Sequence, residues 1–370
     1  MPQLPRHRAQ AAAFRARAHG RGAIHTLRVR EVLRLTDDAV RVSFEVPEHL
    51  REDYRHQAGQ HLVILHPHEG EEIRRSYSIC LPANSTELCV AIRRVEGGAF
   101  SSFATTDLRA GARLRVMTPT GRFIPRLDAR HRTHYAAVAA GSGITPIYSI
   151  VATILAAEPH SRVTLLFGNR RPSSAMLLDH LNELQRRVGD RLDLHLVYSQ
   201  EEVEGAGSPG RIDWGRVAAA LPDAPAGVDE WFMCGPDELM QALGRALADR
   251  HVPTNRIHTE LFAASAASPL SAAELVEISS IVTLRLNDEA TTFELNGRGE
   301  PILAAGLRLR SDLPYACRSG LCGTCRARLT EGEVVMERCS ALDLEDRRAG
   351  YVLACVGHPV TERVTLDFDG

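Results

Sequence analysis

Lysine is absent from this sequence: all 44 basic residues are arginines, and they are balanced by 46 acidic residues. The formal net charge of −2 lacks the basic surplus with which proteins attract nucleic-acid phosphates, so we expect no nucleic-acid partner. Also missing is any apolar run close to the roughly 20 residues that cross a bilayer, so we expect no membrane partner. The start of the chain lacks the apolar segment of a secretory signal. These absences favour a cytoplasmic protein.

Residues 1–23 are rich in arginine and are expected to form a flexible tail. The first 22 residues carry five arginines and no acidic residue. Segments with many like charges and few large apolar residues generally stay unfolded. A transit peptide has a similar composition and is the alternative interpretation.

The rest of the chain divides at an Ala-, Ser- and Pro-rich stretch. Residues 263–274 interrupt the hydrophobic patterns and are predicted to be a linker. From Ser271 onward there are 11 arginines and 16 acidic residues, so a mildly acidic unit, residues 275–370, follows a mildly basic body. A chain of 370 residues has room for two or three domains of ordinary size.

Two different hydrophobic patterns precede the linker. Residues 24–127 contain short segments such as VRVSFEV and HLVILHP, which alternate or run apolar between turn signals and predict an antiparallel β-barrel. Residues 128–262 alternate apolar strands with amphipathic helices, which predicts an α/β fold with a doubly wound parallel sheet. We therefore predict a multidomain protein: barrel, α/β fold and a small α+β unit.

The small C-terminal unit contains a cysteine loop, CRSGLCGTC, and a fourth cysteine further on. Cys317, Cys322, Cys325 and Cys355 are spaced Cys-x4-Cys-x2-Cys-x29-Cys. Three thiolates on one loop and a fourth from a distant segment are typical of a plant-type [2Fe–2S] cluster. The small residues in the loop allow backbone N–H groups to turn toward the sulfurs. These four cysteines are the predicted iron ligands.

Zinc, bare thiols and disulfides are the alternative interpretations. Zinc sites favour cysteines in pairs, which this triple does not match, and disulfides are rare in the cytoplasm. Cys339, between the third and fourth predicted ligands, is interpreted as a spare thiol. The loop, together with LAC around Cys355, resembles the plant-type ferredoxin domain, which implies a β-grasp fold over residues 275–370.

A nicotinamide gives two electrons as a hydride, whereas a [2Fe–2S] cluster passes one electron at a time. A group that accepts two electrons and releases them singly is therefore needed between them. A flavin usually has this role. The segment RRSYSIC places Arg75, Tyr77 and Ser78 on a predicted strand. Arginine can neutralise a pyrophosphate, tyrosine can stack on the flavin ring, and the serine hydroxyl can reach the flavin N5 atom.

A glycine turn follows in RRVEGGAFSSF. Gly97 and Gly98, before Ser101, let the backbone approach a phosphate at a helix N-terminus. Taken alone, the two segments could be a polar barrel strand and an ordinary turn. Together, upstream of a nucleotide fold, they resemble the ferredoxin–NADP reductase superfamily, which implies that the barrel binds FAD.

The resemblance extends to the α/β segment. AAGSGITP follows a strand and opens a helix, so its glycines permit a tight turn and the helix N-terminus faces a dinucleotide pyrophosphate. A plain βα turn is the alternative. The predicted dinucleotide-binding residues in this segment are Gly141, Ser142, Gly143, Thr145 and Pro146.

Two further segments resemble this superfamily. FMCGPDELM implies that Cys234 lies beside the nicotinamide ring and that Gly235 and Pro236 shape its pocket. HTELF resembles the last strand of the nucleotide fold, which implies that Glu260 and Phe262 lie near the flavin, although Phe262 could instead fill a core. The residues implied around the reacting rings, and so predicted to be catalytic, are Ser78, Cys234, Glu260 and Phe262.

The coenzyme is predicted to be NADPH, with NADH as the alternative. FGNRRPSS ends a strand with Arg170 and Arg171, which could bind a 2′-phosphate, and no acidic residue of that segment is placed to bind a ribose hydroxyl. Members of the superfamily that prefer NADPH often carry Ser-Arg where this chain has Ser199 and Gln200. That difference removes one phosphate contact.

The domain order implies the electron acceptor. A cluster domain after HTELF is similar to the reductase subunits of phenylacetyl-CoA 1,2-epoxidases and of 3-ketosteroid 9α-hydroxylases, and the segments quoted above look closest to the epoxidase reductases. The resemblance implies electron transfer from NADPH through FAD and the cluster to a separate oxygenase, here a di-iron epoxidase subunit of phenylacetate catabolism. Alternatives are a Rieske-type steroid hydroxylase or a desaturase as acceptor, and a non-catalytic redox sensor.

Overall fold

The computed structural model describes residues 22–200, 208–221, 223–262, 275–337 and 339–370. The predicted linker, residues 263–274, and most of the predicted tail lie outside these ranges. Gly22 and Ala23, assigned above to the tail, instead join the first domain: the Gly22 N–H donates to the Thr118 hydroxyl at 3.0 Å, and Ala23 is fully buried. Across the described ranges, no helix is long and apolar enough to cross a membrane.

The first domain is an antiparallel barrel, as its alternating pattern predicted. The elements are β1 (Ile24–Thr36), β2 (Ala39–Glu45), β3 (His61–His68), β4 (Glu71–Ser78), β5 (Leu88–Arg93), α1 (Ala99–Thr106) and β6 (Arg113–Thr120). The sheet has the order β4-β3-β6-β1-β2-β5, and a bridge between Ile79 and Val90 closes it from edge to edge. Alternate residues such as Leu27 and Ile64 fill its interior.

The second domain is a parallel sheet flanked by helices. The elements are β7 (His134–Ala140), α2 (Ile144–Ala157), β8 (Arg162–Asn169), α3 (Leu178–Val188), β9 (Leu192–Tyr198), β10 (Ser208–Pro209), α4 (Trp214–Ala220), β11 (Glu230–Cys234), α5 (Asp237–Ala248) and β12 (Ile257–Glu260). The strand order is β10-β9-β8-β7-β11-β12, so the winding reverses at β7 and a crevice opens where β7 and β11 end. Helix α2, which leaves that crevice, is almost entirely buried.

The third domain is a small α+β unit. The elements are β13 (Ser279–Leu286), β14 (Glu289–Asn296), α6 (Ile302–Leu307), β15 (Arg326–Glu331), β16 (Val334–Met336), α7 (Leu344–Arg348), β17 (Tyr351–Leu353), β18 (Gly357–Pro359) and β19 (Arg363–Asp367). A mixed sheet of order β14-β13-β19-β15-β17 packs against α6, and β16 pairs with β18 beside it. Strands β13 and β19 are parallel, although they come from opposite ends of the domain.

The cluster-loop side of the third domain rests on the barrel. Val63, Leu65 and Met117 on the outer face of the barrel form an apolar patch with Ala316, just before the first predicted iron ligand. Beside this patch, the Arg74 guanidinium lies 3.9 Å from the ring centre of Tyr315. The cysteine loop is therefore held against strands β3, β4 and β6.

Two ion pairs also connect the third domain to the segment after β6. Arg122 reaches the buried carboxylate of Asp346 at 3.2 Å, and Arg326 reaches the same oxygen at 3.2 Å from within the third domain. Arg126 pairs with Glu345 at 3.1 Å, but both side chains are largely exposed. The two neighbouring acids thus make similar contacts in very different environments.

We expect Asp346→Ala to destabilise the third domain by about 3 kcal/mol, because removing one member of a buried ion pair leaves the buried Arg326 guanidinium without its counter-charge. Urea unfolding followed by the visible absorbance of the cluster measures this change. Glu345→Ala is the matched control and should cost less than about 1 kcal/mol. Equal losses in the two variants would contradict the expectation.

Candidate functional site

The four predicted iron ligands are brought together at one end of the third domain. Three of them lie on the loop between α6 and β15, and Cys355 follows β17. The Cys317 thiol is within hydrogen-bonding reach of Cys322 and Cys355, and Cys355 also reaches Cys325. The loop can turn so tightly because Gly320 and Gly323 adopt positive φ angles of 73° and 69°.

Crowding sets the ionisation of these thiols. Hydrogen bonds from Cys322 and Cys355 lower the pKa of Cys317. Those contacts raise the pKa of both Cys322 and Cys355, because a second thiolate would face the first. Four thiolates at once therefore need a compensating positive charge, which iron ions supply. The donor set fits an iron–sulfur cluster.

The three predicted flavin-binding residues of β4 lie on two faces of the strand. Tyr77 packs toward the barrel interior, with its ring centre 5.7 Å from that of Phe100, and burial raises its pKa. Arg75 is exposed. Ser78 is buried on the opposite face, and its hydroxyl donates to a carboxylate oxygen of Glu260 at 3.4 Å. Ser78 thus links the barrel to the nucleotide fold.

The predicted phosphate turn lies just before α1. Gly97 has a φ of +68°, and Gly98 is the N-cap residue directly before α1. The Ser101 hydroxyl accepts from the Val95 N–H at 3.1 Å and donates to the Gly98 carbonyl at 3.2 Å. The backbone is open at Gly97, where an added β-carbon would meet no atom within 4 Å, whereas the Gly98 N–H and the Ser101 hydroxyl are already used to shape the turn.

The GSGITP loop depends on close packing more than on a tight turn. A β-carbon added to Gly143 would lie 2.1 Å from the carbonyl oxygen of Cys234, and one added to Gly235 would lie 3.0 Å from Ala140. Gly141 alone has a positive φ, of 57°. The Thr145 hydroxyl donates to the Ser142 carbonyl at 3.0 Å. The two predicted nucleotide loops therefore touch each other.

Pro146 is buried in the first turn of α2, and Pro236 precedes the first residue of α5. Both prolines stand near a helix start, where a missing N–H costs nothing. They restrict the backbone of the two loops, and their side chains offer no polar group to a ligand.

Cys234 and Glu260 face each other across the parallel pair β11 and β12. Burial, with a smaller effect of the Glu260 charge, raises the pKa of the fully buried Cys234 thiol. Part of Glu260 remains accessible, but the surrounding protein keeps water from its carboxyl group and raises its pKa to about 8. Ser78, Cys234 and Glu260 therefore form one cluster at the boundary between the two domains.

Phe262 lies two residues beyond β12 and is 46% exposed. It therefore does not fill a core, which was the alternative interpretation. Its contact with a flavin stays a prediction, because the described ranges stop at this residue.

The predicted coenzyme edge, formed by Arg170 and Ser199 after strands β8 and β9, also includes Asp38, which the sequence did not indicate. Arg170 is exposed at the end of β8, and Ser199, also exposed, follows β9. The Asp38 carboxylate of the barrel reaches Arg170 at 4.0 Å and Arg93 at 3.4 Å. An acid is thus present here, although it belongs to another domain. The expectation that no acid stands at this position holds only within the FGNRRPSS segment.

Arg93 is the second residue that the sequence analysis missed. It ends β5 of the barrel, yet a β-carbon added to Gly141 would lie 3.2 Å from its guanidinium, and it donates to the Ser174 carbonyl. A cation beside a nucleotide loop can bind a phosphate. The available signal was the paired arginines of AIRR directly before the glycine turn.

Asn169 provides a test of whether this crevice fits a dinucleotide. It ends β8 and is only 8% exposed, yet neither polar atom of its amide has a hydrogen-bond partner among the described residues. Buried amides without partners are rare in folded proteins. A ribose or phosphate group in the crevice could supply the missing partner, so the residues present fit a dinucleotide.

Three domain families match the chain in the order that the fold shows. An oxidoreductase FAD-binding domain matches residues 26–124, and an oxidoreductase NAD-binding domain matches residues 137–244. A 2Fe-2S iron-sulfur cluster binding domain matches residues 284–360. The predicted FAD, nicotinamide coenzyme and [2Fe–2S] cluster are therefore confirmed as cofactor classes.

Two full-length relatives carry similar sequences. The chain is 39% identical to a component of the 1,2-phenylacetyl-CoA epoxidase of Escherichia coli K12, over 93% of this chain and 98% of that protein. It is 30% identical to the ferredoxin reductase component of 3-ketosteroid-9-alpha-monooxygenase of Rhodococcus rhodochrous, over 95% and 98%. Among solved structures, phthalate dioxygenase reductase shares the fold, with a TM-score of 0.55 and 23% identity over 93% of this chain and 98% of that one.

We expect Gly143→Ala to slow flavin reduction by the nicotinamide coenzyme at least tenfold, because the added methyl group would push the GSGITP loop away from the Cys234 carbonyl. FAD content should stay unchanged. Anaerobic rapid mixing measures the rate. Gly244→Ala in α5 is the control: its β-carbon meets no atom within 4 Å, so the rate should stay the same. An unchanged rate in Gly143→Ala would contradict this expectation.

Because the pKa of Glu260 is raised in the folded protein, we expect the stability of the flavin-free protein to depend on pH. An acid whose pKa is raised on folding holds its proton more tightly in the folded state, so stability falls as pH rises from the ordinary value of 4.5 to about 8. The slope is at most roughly 1.4 kcal/mol per pH unit. Glu260→Gln should remove it, as measured by urea unfolding with tryptophan fluorescence, since both tryptophans lie in the second domain.

The exposed Glu238 at the start of α5 is the control for that experiment. Glu238→Gln should retain the wild-type pH profile. Parallel profiles for wild type and Glu260→Gln between pH 5 and pH 8 would show that the carboxyl group is not protonated in this window.

Proposed function

Because this chain belongs to the family of ferredoxin–NADP reductase-type oxidoreductases with FAD-, NAD- and 2Fe-2S-binding domains, we propose that it feeds electrons from NADPH to a separate oxygenase. The observation that supports this most strongly is the junction of the three domains. Ser78 of the barrel contacts Glu260 of the nucleotide fold, and the same barrel face contacts the cysteine loop. The proposed two-electron donor and the proposed one-electron acceptor would thus both lie against the outer face of strands β3 and β4.

We propose a role for each residue of the Ser78 cluster. FAD bound at this strand would accept a hydride and release electrons singly. Ser78 would hydrogen-bond the flavin edge, and Glu260, protonated below about pH 8, would hold that hydroxyl in place. Cys234, with Gly235 and Pro236, would hold the nicotinamide beside it, and Phe262 would cover the ring. The side chains position the rings and exclude water, which is the main contribution that a hydride transfer needs from the protein.

The proposed ligands of the remaining groups follow the same geometry. Cys317, Cys322, Cys325 and Cys355 would bind the cluster. Arg75, Tyr77 and the Gly97–Ser101 turn would hold FAD, and the GSGITP loop would hold the coenzyme pyrophosphate. Arg170, with Arg93 nearby and Ser199 beside it, supports NADPH as the coenzyme, because two guanidinium groups can bind a 2′-phosphate. NADH remains the alternative, since Gln200 stands where an arginine would add a contact.

The proposed acceptor is the di-iron subunit of a phenylacetyl-CoA epoxidase. Support comes from the E. coli relative, whose similarity extends over nearly the full length of both proteins. A Rieske-type 3-ketosteroid 9α-hydroxylase is the second candidate, supported by the Rhodococcus relative. We propose a cytoplasmic location, where thiols stay reduced, because none of the eight cysteines, which all lie in the described ranges, is in a disulfide.

Anaerobic rapid mixing with NADPH, and separately with NADH, tests the proposal when flavin and cluster absorbance are followed individually. We expect the flavin to be reduced first and the cluster to follow, faster with NADPH. Cys355→Ser should abolish the cluster signal and leave flavin reduction intact. Cys339→Ser, the matched control, should leave both intact. Turnover with purified epoxidase or hydroxylase components then distinguishes the two candidate acceptors.

A reduced flavin beside a cluster that stays oxidised would contradict the internal electron path. Loss of the cluster in Cys339→Ser, with retention in Cys355→Ser, would contradict the ligand assignment. Faster reduction by NADH would overturn the coenzyme preference and leave the path itself in place.

A further inference from the structure

One antiparallel residue pair of the barrel contacts both other domains. His61 of β3 is paired with Ser78 of β4, so their side chains share a face. Ser78 turns to Glu260 of the nucleotide fold. His61 turns to the third domain, where its Nε2 atom lies 3.3 Å from the hydroxyl of Thr324.

Thr324 stands directly between two predicted iron ligands. Its hydroxyl oxygen is 3.2 Å from the sulfur of Cys322. When that sulfur is a thiolate it can only accept, so the Thr324 hydroxyl must donate to it. The hydroxyl oxygen is then free to accept a hydrogen bond from the Nε2–H of His61. The atoms form a chain of two hydrogen bonds from the barrel to a ligand sulfur.

The imidazole has little freedom to leave this position. His61 is only 3% exposed, and a β-carbon added to Gly121, whose φ is +118°, would lie 2.9 Å from its Nδ1 atom. The ring is therefore packed against backbone that only glycine allows. Neighbouring Val63 and Ala316 exclude water from the same boundary.

We propose that His61 is a positioning residue for the cluster: through Thr324 it directs a hydrogen bond at the sulfur of Cys322 and raises the reduction potential of the cluster. Hydrogen bonds to ligand sulfurs stabilise the more negative, reduced cluster and are a principal means of tuning its potential. The inference rests on the proposed role of Cys322 as a ligand. It adds that a residue of the flavin domain, 263 positions away from Thr324, sets the driving force for electron transfer.

A redox titration of the whole protein, followed by the electron paramagnetic resonance signal of the reduced cluster, tests this. Thr324→Val should shift the cluster potential to a more negative value, and Thr324→Ser, which keeps the hydroxyl, should restore it. His61→Leu should shift the potential in the same direction, and His61→Gln, which keeps a donor, should recover part of the shift. The double variant should match Thr324→Val alone, because both changes act through one hydroxyl.

His66→Leu is the control. His66 lies on the same strand but stacks on Phe103 on the other face, at a ring distance of 4.6 Å, so the potential should stay at the wild-type value. Flavin reduction by NADPH should be unchanged in every variant. If Thr324→Val loses the cluster, the comparison of His61→Leu with His61→Gln still decides the question.

A cluster potential in His61→Leu equal to that of wild type would overturn the inference. So would additive shifts in the double variant, because they would show that His61 acts independently of Thr324. Failure of the proposed function gives a different result: the wild-type protein itself would then show no cluster signal, or a cluster that NADPH does not reduce.

Discussion

Strands β3 and β4 share one outer face of the barrel. The positions of the second and third domains, which carry the NAD-binding and 2Fe-2S-binding family matches, depend on contacts with this face. At one end of the face Ser78 contacts the nucleotide fold, and along its length Val63 and Leu65 pack under the cysteine loop. Because antiparallel pairing fixes which residues share a face, a slip of one position in this register would turn the whole set toward the barrel interior. The distance between the proposed hydride donor and the proposed cluster would thus depend on one hairpin.

Local patterns in the sequence predicted the three domains and the cysteine ligands. The proposed cluster ligands Cys317 and Cys322 lie close in the chain, so their spacing alone is informative. The barrel and the parallel sheet with its helices could be distinguished because hydrophobic residues repeat with different periods in strands and in helices. Contacts between domains could not be predicted in this way. Arg93 and Asp38 reach the nucleotide crevice from the barrel, and no periodicity in either segment indicates that neighbour.

The glycines show a subtler difference between sequence and structure. The motif GSGITP correctly indicated a loop that needs glycine, and the assumed reason, a tight turn, applies to Gly141. At Gly143 the requirement comes from the Cys234 carbonyl, about ninety residues away in the chain, which leaves no room for a side chain. A short sequence motif can therefore reflect either a tight turn or a long-range packing constraint. Only the three-dimensional arrangement shows which of these two reasons applies to each glycine.

The position of Asp38 has a consequence for anions at the coenzyme edge. Its carboxylate already lies between Arg93 and Arg170, at 3.4 Å and 4.0 Å. A phosphate that enters between these guanidinium groups exchanges with a resident anion, so the net gain is the difference between two interactions. A group with two negative charges competes well in such an exchange, and an uncharged hydroxyl gains little. Selectivity at the proposed coenzyme site would thus be set jointly by two domains, and a change in their separation would alter which ligand is preferred.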